Sequence, residues 1–344
     1  MDKRTGKRTV NERVPIAEVG LPSYTLEEAV VFVMRIKRAK NLKEKTISGY
    51  IKDMRYFTEW MTDQYPADFP VNDVTADILR DYILWCANEK EYYGGHPYKS
   101  EYNKDRRGLA PSSVNVRIRV LRTFFAVLYE EDVIDRNPAK NVSLMRQDVD
   151  TVEPLTEDEL HRYLKAPDQR QWAQWRDYIA MIVILDTGMR LNEICTLEKH
   201  EIDFRNKCIT LPAVKNKNRK SRVLPLSTET ARLIKQLITE SERTFESTYV
   251  FTTNYGDPLI DKTLQKAFDK YADKAKLGRN VSPHVLRHNF ATMAAENGMS
   301  VFHLQKLMGH AEIGTTRKYV QLSQESIADQ HKRFSPLGRV LKRK

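Results

Sequence analysis

The stretch "HVLRHNFAT" at 284–292 sets His284, Arg287 and His288 within five positions, at helical spacing. Two histidines four apart resemble a zinc-binding helix only when a glutamate follows the first and a third ligand lies close. Here Val285 follows His284, Arg287 shares the face, and no third ligand is obvious nearby. A guanidinium would repel a dication, so the trio points away from metal. Arginine suits a phosphate better, because its planar fork gives two charge-assisted hydrogen bonds. A second arginine, Arg190, stands in "DTGMRLNEI" after a turn at Gly188 and before a helix-forming run. Backbone N–H groups at a helix start favour an anion. Glu193, one turn on, is spaced to orient the guanidinium.

Three more residues extend this set. Lys217 lies in the basic turn "KNKNRK" at 215–220, between the strand-like runs "CITLPAV" and "SRVLPL". It is either one cation of a solvated loop or a lysine that donates a proton to a leaving oxygen. In "LMGHAEIGTTRKYV", Gly309 is placed to end a helix and His310 follows it. Thr315 or Thr316 can cap the next helix, which puts Tyr319 on its first turn or two. A tyrosine hydroxyl near two arginines, a lysine and two histidines would be a nucleophile. Singly, each arginine also reads as structural. His288 reads best as a packing or hydrogen-bonding residue outside the chemical set.

Helices must position these groups. "TLEE" at Thr25 fits a capping box with Glu28, and a second box pairs Thr156 with Glu159. Between them, Ile47, Tyr50, Ile51, Met54, Phe57 and Met61 share one face of a long helix. A third helix is predicted from about Thr75 to Asn88. A fourth follows Pro111 and runs until "RNP" at 136–138 breaks it. The stretch 91–108, with four tyrosines and four Lys/Arg, is either a solvated loop or a nucleic-acid-contacting one. Residues 1–24 read as a basic flexible arm and 25–142 as a helical bundle. Residues 143–154 read as a linker, 155–330 as a second domain, and 331–344 as a basic tail.

Composition agrees with a polyanionic partner. Lys and Arg number 57 against 46 Asp and Glu, a formal charge of +11. The three cysteines, Cys86, Cys195 and Cys208, fit neither a disulfide framework nor a zinc site, which suggests a reducing cytoplasm. Cys86 and Cys195 lie in apolar helical stretches, as small core residues. The first 24 residues contain no apolar run of the secretory kind. The longest apolar stretch, "YIAMIVIL" at 178–185, is too short to span a bilayer and reads as a buried helix.

Together these boxes resemble the tyrosine recombinases, also called the phage integrase family. The shared pattern is an Arg after a Gly turn, a hairpin Lys, a His-x-x-Arg box, a Gly-His, and a Tyr nine residues later. The motifs cover about 155–325. The resemblance implies a mainly α fold with a small antiparallel β-sheet or hairpin. An N-terminal helical DNA-clamp (SAM-like) domain would precede the catalytic domain. It implies that Tyr319 attacks the scissile phosphodiester and forms a 3′-phosphotyrosyl link. Arg190 and Arg287 would hold the non-bridging oxygens, and Lys217 would protonate the 5′-oxygen, with Lys215 or Lys220 as substitutes. His284 would assist proton transfer at the tyrosine and His310 would bind the phosphate. No metal, ATP or other cofactor would be required. The resemblance further implies a homo-tetramer on double-stranded DNA, a Holliday junction, and a C-terminal helix, around 322–333, docking on a neighbouring protomer.

Candidate DNA contacts are Arg117, Arg119 and Arg122 on the fourth helix, Lys99, Arg106 and Arg107 in the 91–108 stretch, and Lys215, Arg219 and Lys220 in the hairpin. The 24 residues before Thr25 are too few for a separate arm-site-binding domain, which suggests a two-domain recombinase. The expected role is that of a phage or transposon integrase, cytoplasmic and nucleoid-associated, with no membrane partner. Accessory proteins, the DNA site and the direction of the reaction are left open. Two rival readings are a DNA-binding regulator on the same fold and a type IB topoisomerase-like nicking enzyme. Chromosome-dimer resolution is a less favoured role.

Overall fold

A computed structural model describes residues 24–91, 107–147, 153–216 and 220–317, together with 319, 331, 335 and 337. The chain divides into two compact units, 1–150 and 151–344.

The first unit is built from α1 (Leu26–Ala39), α2 (Glu44–Gln64), α3 (Ala76–Asn88) and α4 (Pro111–Glu130). Thr25 caps α1 as its sequence predicts: its Oγ1 accepts the Glu28 N–H, and the Glu28 carboxylate accepts the Thr25 N–H at 2.9 Å. Such a cap stabilises a helix by about 1 kcal/mol. On α2, Ile47, Met54, Phe57 and Met61 are buried at the predicted spacing, and Trp60 joins them, while Ile51 stays exposed. Phe57, Tyr82 and Phe125 meet edge to face at the centre.

The fourth helix ends earlier than its sequence suggests. It stops at Glu130, where Asp132 adopts a left-handed φ of 52°. The Val133 N–H then reaches back to the Leu128 carbonyl at 2.9 Å, and the Asp132 N–H to Tyr129. This satisfies carbonyls that would otherwise be orphaned and turns Val133 and Ile134 into the core. Burial of that pair ends the helix before the "RNP" breaker is reached.

The second unit holds α5 (Glu157–Lys165), α6 (Trp172–Thr187), α7 (Leu191–Cys195), α8 (Thr228–Glu242), α9 (Asp261–Lys274), α10 (Pro283–Glu296), α11 (Val301–Met308) and α12 (Gly314–Arg317). A three-stranded antiparallel sheet lies between α7 and α8: β1 (Ile202–Asp203), β2 (Cys208–Leu211) and β3 (Arg222–Pro225). β2 and β3 are the two strand-like runs, with Thr210 opposite Val223. The two-residue β1 is too short to show as a period-2 pattern. Helix α6 carries "YIAMIVIL", and Ile179, Ala180, Met181, Val183 and Ile184 are wholly buried.

Helix α10 packs on α6. Asn289 anchors it, accepting the Leu155 N–H at 3.0 Å and donating to the Leu155 carbonyl at 2.7 Å. Burying an amide is tolerated because both its faces are satisfied. Among the described residues, no helix is long and apolar enough to cross a membrane.

Candidate active site

Gly188 ends α6 in the left-handed region, at φ 66°. A Cβ there would lie 2.5 Å from the Phe290 ring of α10, so only glycine permits this approach. The chain then turns into Arg190, which caps the short α7. Glu193 reaches back in two ways: its Oε2 accepts the Arg190 backbone N–H at 2.8 Å, and its Oε1 accepts from the guanidinium at 3.1 Å. Glu193 thus orients Arg190 as the spacing predicts. The other end of the guanidinium donates to the Gly309 carbonyl at 2.9 Å. Arg190 keeps partial exposure, 23% of its side chain, while Glu193 is buried.

Arg287, on α10, is buried. It donates to the Gly188 carbonyl, to the Met308 carbonyl at 2.6 Å and to His310 Nε2 at 3.1 Å. A guanidinium can only donate, so Nε2 of His310 accepts and its proton sits on Nδ1. That Nδ1 lies 2.8 Å from Thr316 Oγ1, which accepts it. Burial and then the nearby Arg190 bring the Arg287 guanidinium down to about 9, still cationic at neutral pH. His284, in the first turn of α10, feels partial desolvation and then both arginines, Arg287 before Arg190. Its pKa is lowered, which favours the neutral ring.

Helix α11 ends at Gly309, left-handed at φ 59°, as "LMGH" suggests. The next helix differs from its sequence reading. It begins at Gly314, and Thr316 is a buried helical residue whose hydroxyl serves His310, not a cap. Tyr319 follows α12 in a turn, its N–H donated to the Thr316 carbonyl at 3.0 Å. The Tyr319 ring packs near Ala291, Leu304 and Met308, and it tilts against the His288 ring at 5.0 Å between centroids. It lies close enough to Arg287 for the two side chains to interact electrostatically.

Four separated boxes of sequence therefore bring Arg190, His284, Arg287, His310 and Tyr319 into one neighbourhood. Lys217 and Arg219 lie outside the described residues, as do Lys99 and Arg106. Lys215 is not presented to a ligand. Its ammonium donates to the Thr196 carbonyl at 2.6 Å and pairs with Glu198 and Glu201, each at 2.8 Å. That placement argues against Lys215 as a DNA contact or as a substitute for Lys217, since its three donors are engaged. Lys220 is exposed.

In the first unit, Arg117 is also placed inward, against its expected role as a DNA contact. It is buried, donates to Tyr82 Oη at 3.1 Å and lies over the Tyr56 ring at 4.4 Å. Arg122 donates to the Val142 carbonyl. Arg119 and Arg107 are exposed.

Sequence reasoning missed Arg222, the first residue of β3. It is buried and donates to Glu193 Oε2 at 2.6 Å and Oε1 at 3.1 Å, and to the side chain of Asn216. A signal existed: in "RVLPL" the period-2 rule puts Arg222 on the inward face with Leu224. An inward arginine requires a buried acceptor.

A mainly helical unit thus brings two arginines, two histidines and a tyrosine together. Residues 153–326, just over half of the chain, match the model of the phage integrase family. The chain is 26% identical to the tyrosine recombinase XerC of Pediococcus pentosaceus, covering 90% of this chain and 98% of that one. It is 24% identical to the tyrosine recombinase XerD of Listeria innocua, covering 86% and 94%. The fold is similar to that of the Tn1549 transposon integrase in complex with a circular intermediate DNA. There the TM-score is 0.69 and the identity 23%, over 91% of this chain and 100% of that one. It is also similar to a lambda integrase in a tetramer bound to a Holliday junction, with a TM-score of 0.62 and 17% identity, over 84% and 78%. The chain belongs to the phage integrase family, the tyrosine recombinases, which are site-specific DNA recombinase enzymes.

Proposed function

We propose that the chain is the site-specific recombinase of a mobile element, cleaving and rejoining DNA through Tyr319. The observation that carries this reading is the convergence of Arg190, Arg287, His310 and Tyr319 from separate boxes around the Gly309 turn. Tyr319 attacks the scissile phosphorus, and its oxygen bonds to phosphorus as the bond to the 5′-oxygen breaks. His284, held neutral, takes the phenolic proton, and Lys217 delivers a proton to the leaving 5′-oxygen. Arg190 and Arg287 stabilise the charge on the non-bridging oxygens in the pentacoordinate transition state. Arg287 now donates to two carbonyls and a histidine, groups that a phosphate replaces with a stronger acceptor. For His310 to donate to that phosphate, its ring must take up a proton or change tautomer.

The reverse attack by a 5′-hydroxyl restores the phosphodiester, so bond energy is kept in the phosphotyrosine. Strand exchange between two duplexes then runs through a Holliday junction in a homo-tetramer, joined through the C-terminal segment, in the cytoplasm and on the nucleoid. Likeness of fold to the Tn1549 transposon integrase is in keeping with this reading.

The test is a suicide substrate nicked next to the scissile phosphate. A covalent protein–DNA adduct is expected, and it should vanish in Tyr319→Phe. Specific binding without an adduct would instead support a regulator on this fold. Relaxation of supercoils without site preference would support a topoisomerase-like enzyme. Mapping cleavage to the ends of a native element, rather than to a chromosomal site, tests the mobile-element role.

A further inference from the structure

We infer that Arg222 is a positioning residue for Arg190, setting the Glu193 carboxylate and the Gly309 carbonyl that hold its guanidinium. This rests on the reading of Arg190 as a phosphate-binding residue.

Among the described residues, the Arg190 guanidinium donates to the Glu193 carboxylate and the Gly309 carbonyl. Arg222 stands behind both. It grips Glu193 with two nitrogens, at 2.6 and 3.1 Å, and its side chain is 5% exposed. Gly309 lies directly against the same guanidinium: a Cβ on Gly309 would fall 2.9 Å from Arg222 Nη1. The third anchor is Asn216, which accepts from Arg222 and donates to the Lys220 carbonyl at 2.7 Å. One buried arginine thereby ties the strand, the base of its hairpin, the α7 cap and the turn after α11 into one unit.

Electrostatics sharpens the role. Glu193 is a single buried carboxylate serving both Arg190 and Arg222, and its pKa is lowered because these charges outweigh its desolvation. Without Arg222, Glu193 would pair with Arg190 alone. Both oxygens would then compete for the guanidinium that must face a phosphate. A fork held at two points from behind leaves Arg190 free to present its remaining donors forward. Lysine is a point charge and cannot bridge both oxygens in this way.

The experiment compares wild type, Arg222→Gln, Arg222→Lys, Arg190→Ala and the Arg190→Ala/Arg222→Lys double variant in the full chain. Melting curves with and without sulfate give one readout. Single-turnover cleavage of a suicide substrate gives the other, with the scissile phosphate either native or replaced by an uncharged methylphosphonate. Arg222→Lys keeps the buried charge, so it remains informative if Arg222→Gln fails to fold.

Cleavage of the native phosphate should fall roughly tenfold to a hundredfold in Arg222→Lys, less than for losing a transition-state donor outright, because Arg190 is misplaced and not removed. DNA affinity should stay within about threefold, since phosphate contacts elsewhere on the duplex carry most binding. The defect should shrink on the methylphosphonate, where less charge needs stabilising. It should add little to Arg190→Ala, because residues acting through one another are non-additive. Sulfate-dependent stabilisation should be lost alike in Arg222→Lys and Arg190→Ala.

Equal losses on both substrates, or full additivity with Arg190→Ala, would overturn the inference in favour of a purely structural role. Retained sulfate stabilisation in Arg222→Lys would also overturn it. If wild type forms no adduct, the recombinase reading fails, and the sulfate readout still decides whether Arg222 positions Arg190.

Discussion

The ring of His288 lies 5.0 Å from the ring of Tyr319, tilted by 56°. The histidine that makes "HVLRH" look like a metal site is thus packed against the proposed nucleophile. It follows Arg287 directly, so one helical turn carries both the buried guanidinium and a wall for the tyrosine. Such ring pairs are worth about 0.5–1.5 kcal/mol beyond simple burial. His288→Ala is therefore expected to slow cleavage by roughly threefold to tenfold. His288→Phe should stay within about twofold of wild type if ring packing is what matters. Single-turnover adduct formation measures this, and equal defects in both variants would point to a polar role instead.

Arg190→Ala and Arg287→Ala should each cut adduct formation by roughly a hundredfold or more, with site binding largely kept. A gel shift beside the adduct assay checks this. Arg287→Lys should rescue little, because three acceptors surround the native fork. Binding that falls in step with cleavage would mark these arginines as structural.

The Arg287 guanidinium is depressed to about 9 by burial and by Arg190. The folded state therefore disfavours its charge, relative to an arginine in the unfolded chain. That cost is fully present below about 9 and fades only as pH rises toward the unfolded value. At neutral pH an oxyanion should relieve it. Sulfate at ten times its dissociation constant would add about 1.4 kcal/mol to stability, raising Tm. Arg287→Met should lose that rise.

For His284 the sign runs the same way. Partial burial, then Arg287 and Arg190, lower its pKa, so the neutral ring persists further into acid than for an ordinary histidine. The acid limb of the cleavage profile should lie below the usual histidine range near 6.5. An NMR titration of His284 in Arg287→Ala should show its pKa climbing back, because one repelling cation is gone. An unchanged value would mean that Arg287 plays no part in setting it.

Gly188→Ala should destabilise the second unit and slow cleavage together. The left-handed φ costs a side chain about 1–2 kcal/mol, and the contact with Phe290 costs about 1–3 more. The same residue's carbonyl accepts from Arg287, so a shifted turn also misplaces the cation. A melting curve and the adduct assay, measured on one preparation, test the coupling.

Local rules decided much of this protein. The capping boxes at Thr25 and Thr156, the apolar period of α2 and the glycine turns at Gly188 and Gly309 were legible because each depends on neighbours within about one helical turn. The spacing of Arg190, His284, Arg287, His310 and Tyr319 likewise marked the candidate site. What the sequence left open depends on contacts between distant segments. Arg117 and Arg122 share a helix with the exposed Arg119, yet Arg117 turns in to Tyr82 and Arg122 to the Val142 carbonyl. Lys215 reads as one cation of a basic turn, but two glutamates from the α7–β1 connection claim it. Arg222 shows only an inward register. Its partner Glu193 lies 29 positions away, and Gly309 meets it from the turn after α11. Sequence spacing determines which residues can share a turn or a face. Only the tertiary fold decides which buried charge meets which acceptor, because desolvation makes that pairing compulsory and the pairs are far apart in the chain.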